Sequence, residues 1–349
     1  MLLQLRAKTE ATTGELVAAL GLSAPTVRAA AQMLRGRELI EPLAAETGRP
    51  GRPTPRLRFR AESRAFVGVN IDDIETVIRV AGLDGRQVGE SRVPSHGRPW
   101  DLASGARSIR EAVRGILPSA SIAAMALAVP AWVERDGTMR ESPAMPELNG
   151  VPLRRALEDV FGCPALVEND LQLAALAEHR FGAARETSTF VYLWAGARVS
   201  SAVFIDGHLH RGATGIAGAV GSHNRMEWGA APLMRPTAAQ FAAARDASAD
   251  STSRRVVQRY VDALSSGLSA LTLALDPEVI VLAAHRPDDA VLLSGLLSDA
   301  VHRDTFIARP RVVPAAVGVD SRVLGALCLA TEVGERRVLG LDRRIVRSG

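Results

Sequence analysis

Phe66-Val67-Gly68-Val69-Asn70-Ile71-Asp72-Asp73-Ile74-Glu75 opens the larger part of the chain. Its first six residues form a short, mostly apolar run of the kind a buried strand needs. Carboxylates then crowd in at Asp72, Asp73 and Glu75. Val77 to Leu83 reads as the hairpin partner, with a turn at Asp84-Gly85. Ile122 to Val129 is another buried strand. Further on, Asp170 to Phe181 has helical spacing. Strands follow at Phe190 to Leu193 and Ser201 to Ile205, with a hairpin at Asp206-Gly207. Val256 to Leu275 reads as a long helix, Val279 to Leu282 as a strand, and Val323 to Val333 as a closing helix. Mixed sheets flanked by helices, met twice, predict an α/β protein of two related lobes.

Composition narrows the setting. A chain of 349 residues exceeds one ordinary domain, and 47% hydrophobic content is ample for a core. No apolar run is long enough to span a bilayer, and Met1-Leu2-Leu3-Gln4-Leu5-Arg6 lacks the character of a signal peptide, so a cytoplasmic location is expected. The two cysteines, Cys163 and Cys328, lie far apart and suggest buried thiols rather than a disulfide framework or zinc site. Lys8 is the sole lysine among 42 basic residues, a skew typical of codon bias, so position says more than the total. Residues 1–62 carry ten basic and six acidic side chains, which places the whole net charge of +4 in that short segment. An anionic partner such as nucleic acid is the natural expectation there.

Local signals in the segment agree. Thr12-Thr13-Gly14-Glu15 fits a capping box, with Thr12 as N-cap. Gly21 permits a tight turn, and Ser23 is a good N-cap for a second helix in which Pro25 is tolerated. Val27, Ala30, Ala31 and Leu34 recur at helical spacing and should face inward. Ser23, Ala24, Pro25, Thr26 and Arg28 are left at the exposed N-terminal end, the part of a helix-turn-helix that meets base edges in the major groove. An ordinary helical hairpin is the bland alternative. Leu39 to Pro42 and Arg56 to Phe59 alternate like the strands of a wing. Between them Gly48-Arg49-Pro50-Gly51-Arg52-Pro53 is like an AT-hook core; from Thr47 to Arg60 there are five arginines and no acid. Arg49 and Arg52 are candidates for a minor groove in A·T-rich DNA, and Arg56 for the duplex nearby. A solvated basic linker is the competing reading.

Taken together, the chain resembles the ROK family of sugar-responsive repressors and sugar kinases. The resemblance rests on the N-terminal reader and its Gly-Arg-Pro arm, Val167-Glu168-Asn169-Asp170, Ile205-Asp206-Gly207, Gly215 to Gly221, and Asp276-Pro277-Glu278-Val279-Ile280-Val281-Leu282. It implies an N-terminal winged helix-turn-helix over residues 1–62. An actin-like, ribonuclease H-like two-lobed domain then occupies 63–349, with lobe one at about 63–167 plus the C-terminal helix and lobe two at about 168–325. It also implies that Asp170 matches a catalytic base and Asn169 its partner.

The departures from the family pattern are as telling. The family's glycine-rich phosphate hairpin is here Asn70 to Glu75, where carboxylates would face an anionic nucleotide. The second phosphate loop reads Gly196-Ala197-Arg198-Val199-Ser200, and the third glycine cluster Ala283-Ala284-His285. The sugar-binding Ala-Gly-Glu-x-Gly-His becomes Ala217-Gly218-Ala219-Val220-Gly221-Ser222, with His223 one place late and no cysteine cluster for zinc. Ala144 stands where Ser142-Pro143-Ala144 would carry an asparagine. A pocket stripped of polar groups suits a sugar poorly.

The expected function is therefore a DNA-binding regulator, a repressor, with a non-catalytic sensor domain, no cofactor and no metal. Its expected partners are double-stranded, palindromic DNA with A·T-rich flanks, a sugar-like effector, and a second copy in a homodimer or dimer of dimers. Candidate ligand contacts are Asn169, Asp170 and His223, although helix capping explains the first two equally well. Glu227 and Trp228 could join a remodelled pocket. His208 and His210 flank a hairpin without further metal ligands in view. An active ATP-dependent sugar kinase and a constitutive DNA-binding protein are the rival readings.

Overall fold

The structure is a computed structural model that describes residues 1–43, 56–95, 99–196, 199–220, 231, 234–245, 251–305 and 307–339. The chain begins with α1 (Leu2–Lys8), β1 (Glu10–Thr12), α2 (Thr13–Leu20), α3 (Ala24–Gly36), β2 (Ile40–Leu43) and β3 (Arg56–Phe59). Thr12 accepts from the Glu15 amide while the Glu15 carboxylate accepts from the Thr12 amide, so the expected capping box closes α2. Gly21 ends that helix in the left-handed region at φ 65°, and Ser23 caps α3. The three strands form one antiparallel sheet in the order β1-β3-β2. Leu16, Val27, Ala31, Leu34, Leu39 and Phe59 are buried beneath it. Neither α1 nor β1 was expected from the sequence. Both are too short for a periodic signal.

The first large sheet follows: β4 (Arg64–Ile71), β5 (Glu75–Gly82), β6 (Gln87–Pro94), α4 (Leu102–Ile116), β7 (Ser121–Val129), the small hairpin β8 (Trp132–Val133) and β9 (Met139–Glu141), α5 (Leu153–Phe161) and β10 (Ala165–Asn169). Its order is β10-β7-β4-β5-β6. The expected hairpin partner of β4 is present as β5, but the Asp84-Gly85 turn leads onward to β6. The β4–β5 connection is the acidic stretch Asp72-Asp73-Ile74.

After α6 (Asp170–Phe181) the pattern repeats in β11 (Phe190–Ala195), β12 (Val199–Ile205), β13 (His208–Leu209), α7 (Ala238–Arg245), α8 (Ser251–Leu275), β14 (Val279–Ala283), α9 (Pro287–Asp304) and β15 (Arg311–Pro314). The order β13-β12-β11-β14-β15 repeats that of the first sheet strand for strand: three antiparallel strands, then two parallel ones reached through helices. The chain closes with α10 (Ser321–Leu339).

Two helices join the halves. Leu173 of α6 enters the core shared by Phe66, Ala126 and the α10 residues Ala326 and Leu327. On its other face, Leu171, Ala174 and Ala175 meet Phe190, Tyr192 and Phe204 of the second sheet. The contact with α10 is close enough to require glycine. A Cβ on Gly325 would lie 1.9 Å from the Leu173 carbonyl oxygen, and one on Gly68 of β4 would lie 2.4 Å from the Leu327 amide nitrogen. No described helix is long and apolar enough to cross a membrane.

Candidate functional site

The candidate cleft lies where the C-terminal ends of β10, β11 and β14 meet the start of α10 through Asp170, Trp194, His285 and Arg322. At the end of β4 the chain must turn, and its amides need acceptors. One oxygen of Asp72 accepts from Ile74 and Glu75, each at 2.9 Å, and the other takes the Asn70 side-chain amide at 3.3 Å. The Asn70 side chain is buried, and its carbonyl oxygen has no partner among the described residues. A hairpin that binds phosphate presents free amides. This one turns its amides onto its own carboxylate.

The second loop is covered as well. Trp194, near the end of β11, lays its indole against Gly196, where an added Cβ would sit 2.1 Å from Nε1. The His285 ring meets the same indole edge-on with ring centres 5.1 Å apart. On the indole face lies the Arg322 guanidinium, 4.8 Å from the ring centre. Arg322 belongs to the first turn of α10, and its Nε reaches the Asp170 carboxylate at 3.0 Å. The two partners are 23% and 13% exposed, which places the pair in a partly desolvated setting where charge matters more than at the surface. The His285 pKa is lowered, first by burial and then by the positive charges of Arg235 and Arg322; Asp289 acts in the opposite sense.

Asn169 performs the capping role that its position allowed. Its Oδ1 accepts from Leu171 and Gln172 at 3.0 and 3.2 Å, and its Nδ2 donates to Ala131 at 3.0 Å. Asp170 also accepts from the Leu171 amide. Next to them, Glu168 holds Arg211 through both carboxylate oxygens, with Nε at 2.9 and 3.0 Å. This pins the loop after β13 to the end of β10. Ser142 is spent locally as well, donating to Pro130 and accepting from Met145. Arg198, His223, Glu227 and Trp228 lie outside the described residues. Among the described residues no cluster of three His, Cys, Asp or Glu side chains could hold a metal ion. His208 instead contacts the Asp206 carbonyl.

In the N-terminal unit, Ser23, Pro25, Thr26 and Arg28 are exposed at the start of α3, with Ala24 half-buried. The Ser23 hydroxyl accepts from the Thr26 amide and also meets the Thr26 hydroxyl at 2.7 Å. Arg49 and Arg52 fall outside the described residues. Arg56 is already engaged, pairing with Glu10 at 3.1 Å. The other arginines of this edge are paired too: Arg58 with Glu41 and Glu62, and Arg60 with the same two acids. The basic run is thus balanced by acids from neighbouring elements, which a count along the sequence does not reveal.

Sequence reasoning missed Trp194 and Arg322. Neither belongs to a local motif, and only the meeting of β11 with α10 brings them together. The one available signal was an arginine directly after Asp320-Ser321, followed by the uncharged run Val323 to Thr331.

The sequence model of the ROK family matches residues 67–243, just over half of the chain. The bifunctional enzyme NanE/NanK of Brucella melitensis is 30% identical over 199 residues, covering 51% of this chain and 38% of that protein. The xylose repressor of Caldicellulosiruptor bescii is 35% identical over 101 residues, covering 29% of this chain and 25% of the repressor. The chain therefore spans less than half the length of these curated relatives. Among solved structures, a ROK family transcriptional regulator homologous to the E. coli MLC protein superposes with a TM-score of 0.66 at 16% identity. That superposition covers 95% of this chain and 94% of the regulator, and shows a shared fold. By the family match and the repeated sheet topology, the chain belongs to the ROK family.

Proposed function

We propose that this protein is a DNA-binding transcriptional regulator, acting as a repressor, in which a sugar-kinase-like domain serves as a non-catalytic sensor. The observation that carries the reading is the N-terminal unit. Two capped helices meet at Gly21, α3 presents an exposed N-terminal end, and a three-stranded sheet follows. This is the arrangement of a winged helix-turn-helix, which we assign to residues 1–62, with the sensor at 63–349. Ser23, Ala24, Pro25, Thr26 and Arg28 are placed at base edges, and Arg49 and Arg52 in an adjacent minor groove. The partner is double-stranded DNA, bound by a homodimer on a palindromic site. Xylose repressors among the relatives support the reading.

The cleft supports the non-catalytic half. Phosphoryl transfer needs a cradled, charge-neutralised triphosphate and a base free to take a proton. Here Asp72 satisfies the hairpin amides, Trp194 covers Gly196, and Arg322 pairs with Asp170. Asn169 and Asp170 remain our candidate ligand contacts, together with His223.

The second reading, an active sugar kinase, draws on Asp170 at the base position and on kinase relatives such as NanE/NanK. Two measurements on the full chain separate them. Genomic occupancy with motif discovery should return a palindrome, and an ATP-turnover assay over a sugar panel should return no sugar-dependent hydrolysis. Sugar phosphorylation above the no-enzyme background would overturn the non-catalytic reading.

A further inference from the structure

Helix α3 divides its residues by face. Val27, Ala31 and Leu34 are buried in the core of the N-terminal unit. At about 100° per residue, Pro25, Ala29, Gln32 and Gly36 point away from that stripe, and all four are exposed. Three of them are short, and the space around Gly36 is open. Arg28 and Arg35 lie together on one flank of this face, seven residues apart, which is about 10 Å along the axis. Thr26 and Met33 form the other, uncharged flank, with Met33 56% exposed.

The polar groups of this helix are unequally engaged. The Ser23 and Thr26 hydroxyls meet each other at 2.7 Å, and Ser23 also accepts from the Thr26 amide. Arg28, Gln32 and Arg35 make no side-chain hydrogen bond or ion pair among the described residues. The arginines of the neighbouring sheet differ, since Arg56, Arg58 and Arg60 each have an acid. A carboxamide set among short neighbours can reach a surface that the helix backbone approaches closely. It carries a donor and an acceptor side by side on one planar group, which match N7 and the N6 amino group of adenine in the major groove. Two cations on one flank only match the phosphates along one wall of that groove.

We propose that Gln32 is a specificity-determining residue that reads the adenine of an A·T pair through paired hydrogen bonds, while Arg28 and Arg35 hold phosphates on one wall of the groove. The inference rests on reading the N-terminal unit as a winged helix-turn-helix. It carries base recognition about two turns beyond the capped end of α3, where Ser23 and Thr26 are tied to each other. It also refines the place of Arg28, whose flank position assigns it to the duplex backbone and not to a base edge.

The experiment selects binding sites from a random duplex library with the full chain and with its Gln32→Ala, Gln32→Arg, Arg28→Gln and Arg35→Gln variants. The parent should return a motif with an A·T pair whose preference is lost in Gln32→Ala, with affinity for the best site falling at least about fivefold. Gln32→Arg should prefer guanine at that position. Replacing that adenine by 7-deazaadenine, which lacks the N7 acceptor, should weaken the parent and leave Gln32→Ala unchanged. Gln32 is exposed and alanine is the better helix former, so the variant keeps the unit folded. Each arginine variant should keep the motif, weaken all sequences alike, and lower the slope of log affinity against log salt by about one.

An unchanged motif and affinity in Gln32→Ala overturn the proposal and leave the DNA-binding reading intact. So does a preference lost at a G·C pair, or an equal 7-deazaadenine effect in parent and variant. An arginine variant that changes the motif and not the salt slope overturns the assignment of that flank to phosphate. Absence of any sequence-selective binding by the parent defeats the DNA-binding reading itself, and the proposal with it.

Discussion

Removing the carboxylate of Glu178 should destabilise the protein more than any single surface change. The side chain is fully buried near the C-terminal end of α6, and no described basic group pairs with it. It accepts from three backbone amides: Ala183 at 2.8 Å, Ala316 at 3.1 Å and Val317 at 2.8 Å. Hydrogen bonds to a charged group contribute about 1.5–3 kcal/mol each, and a buried donor left alone costs about 1–3 kcal/mol. Three bonds would give a larger total than is realistic, because water can enter the space vacated in Glu178→Ala and satisfy part of the loss. We therefore expect a destabilisation of about 3–5 kcal/mol for alanine, a large share of a typical domain stability of about 5–15 kcal/mol. Glu178→Gln is the sharper probe. Its amide oxygen can replace Oε2 and keep Ala183 and Ala316, but its NH2 group would then face the Val317 N–H, donor against donor. That should cost about 1–3 kcal/mol. Urea unfolding followed by circular dichroism reads both. An alanine variant within about 1 kcal/mol of the parent would refute the claim that this carboxylate ties α6 to the segment entering α10.

Other expectations follow from the same structure. Arg52→Ala should weaken operator binding by about 1–3 kcal/mol, with selectivity lost at A·T-rich flanks; a competition binding assay on flank variants would show it, and unchanged preference would count against the arm. Burial pushes both thiols up, Cys163 and Cys328 each to about 11, so a thiol reagent at neutral pH should label the native protein far more slowly than the unfolded chain.

The legible parts of the fold were those with local causes. The capping box at Thr12, the Ser23 cap and the Asp206-Gly207 turn are each fixed by residues within a few positions, and all form as read. Strands buried on both faces, such as Val279–Ala283, stand out as unbroken apolar runs. By contrast, β6 escaped notice because it is an edge strand with no fully buried residue, so its sequence carries no apolar run. The cleft was legible by subtraction only. Missing glycines marked where the loops depart from the family pattern, but not that Asp72 takes the amides or that Trp194 covers Gly196. Arg56 shows the opposite error. It counted as free charge along the sequence, and Glu10 balances it across a strand pair.

How the cleft could speak to the N-terminal unit can be weighed by magnitude. Helix α10 carries Arg322 at one end and Glu335 toward the other, thirteen residues and about 20 Å apart along a helix. Glu335 pairs with Arg6 of α1 at 2.7 Å, and Arg6 also donates to the Asp84 carbonyl. A tenfold change in DNA affinity requires about 1.4 kcal/mol of differential interaction between two states of the protein. The Arg6–Glu335 pair is roughly a quarter exposed on each side, and a pair of that kind contributes only about 0–1 kcal/mol. It can set register but cannot supply the coupling alone. The apolar joint can. Leu5 of α1 and Phe59 of β3 share one core with Leu83, Phe66 and the α10 residues Leu327 and Ala330, all of them buried. Truncating a single buried leucine there to alanine would involve about 2–5 kcal/mol, so repacking a fraction of such a side chain matches the required coupling. Any signal that passes along α10 to the N-terminal unit therefore has to repack this core, and the ion pair at its rim follows.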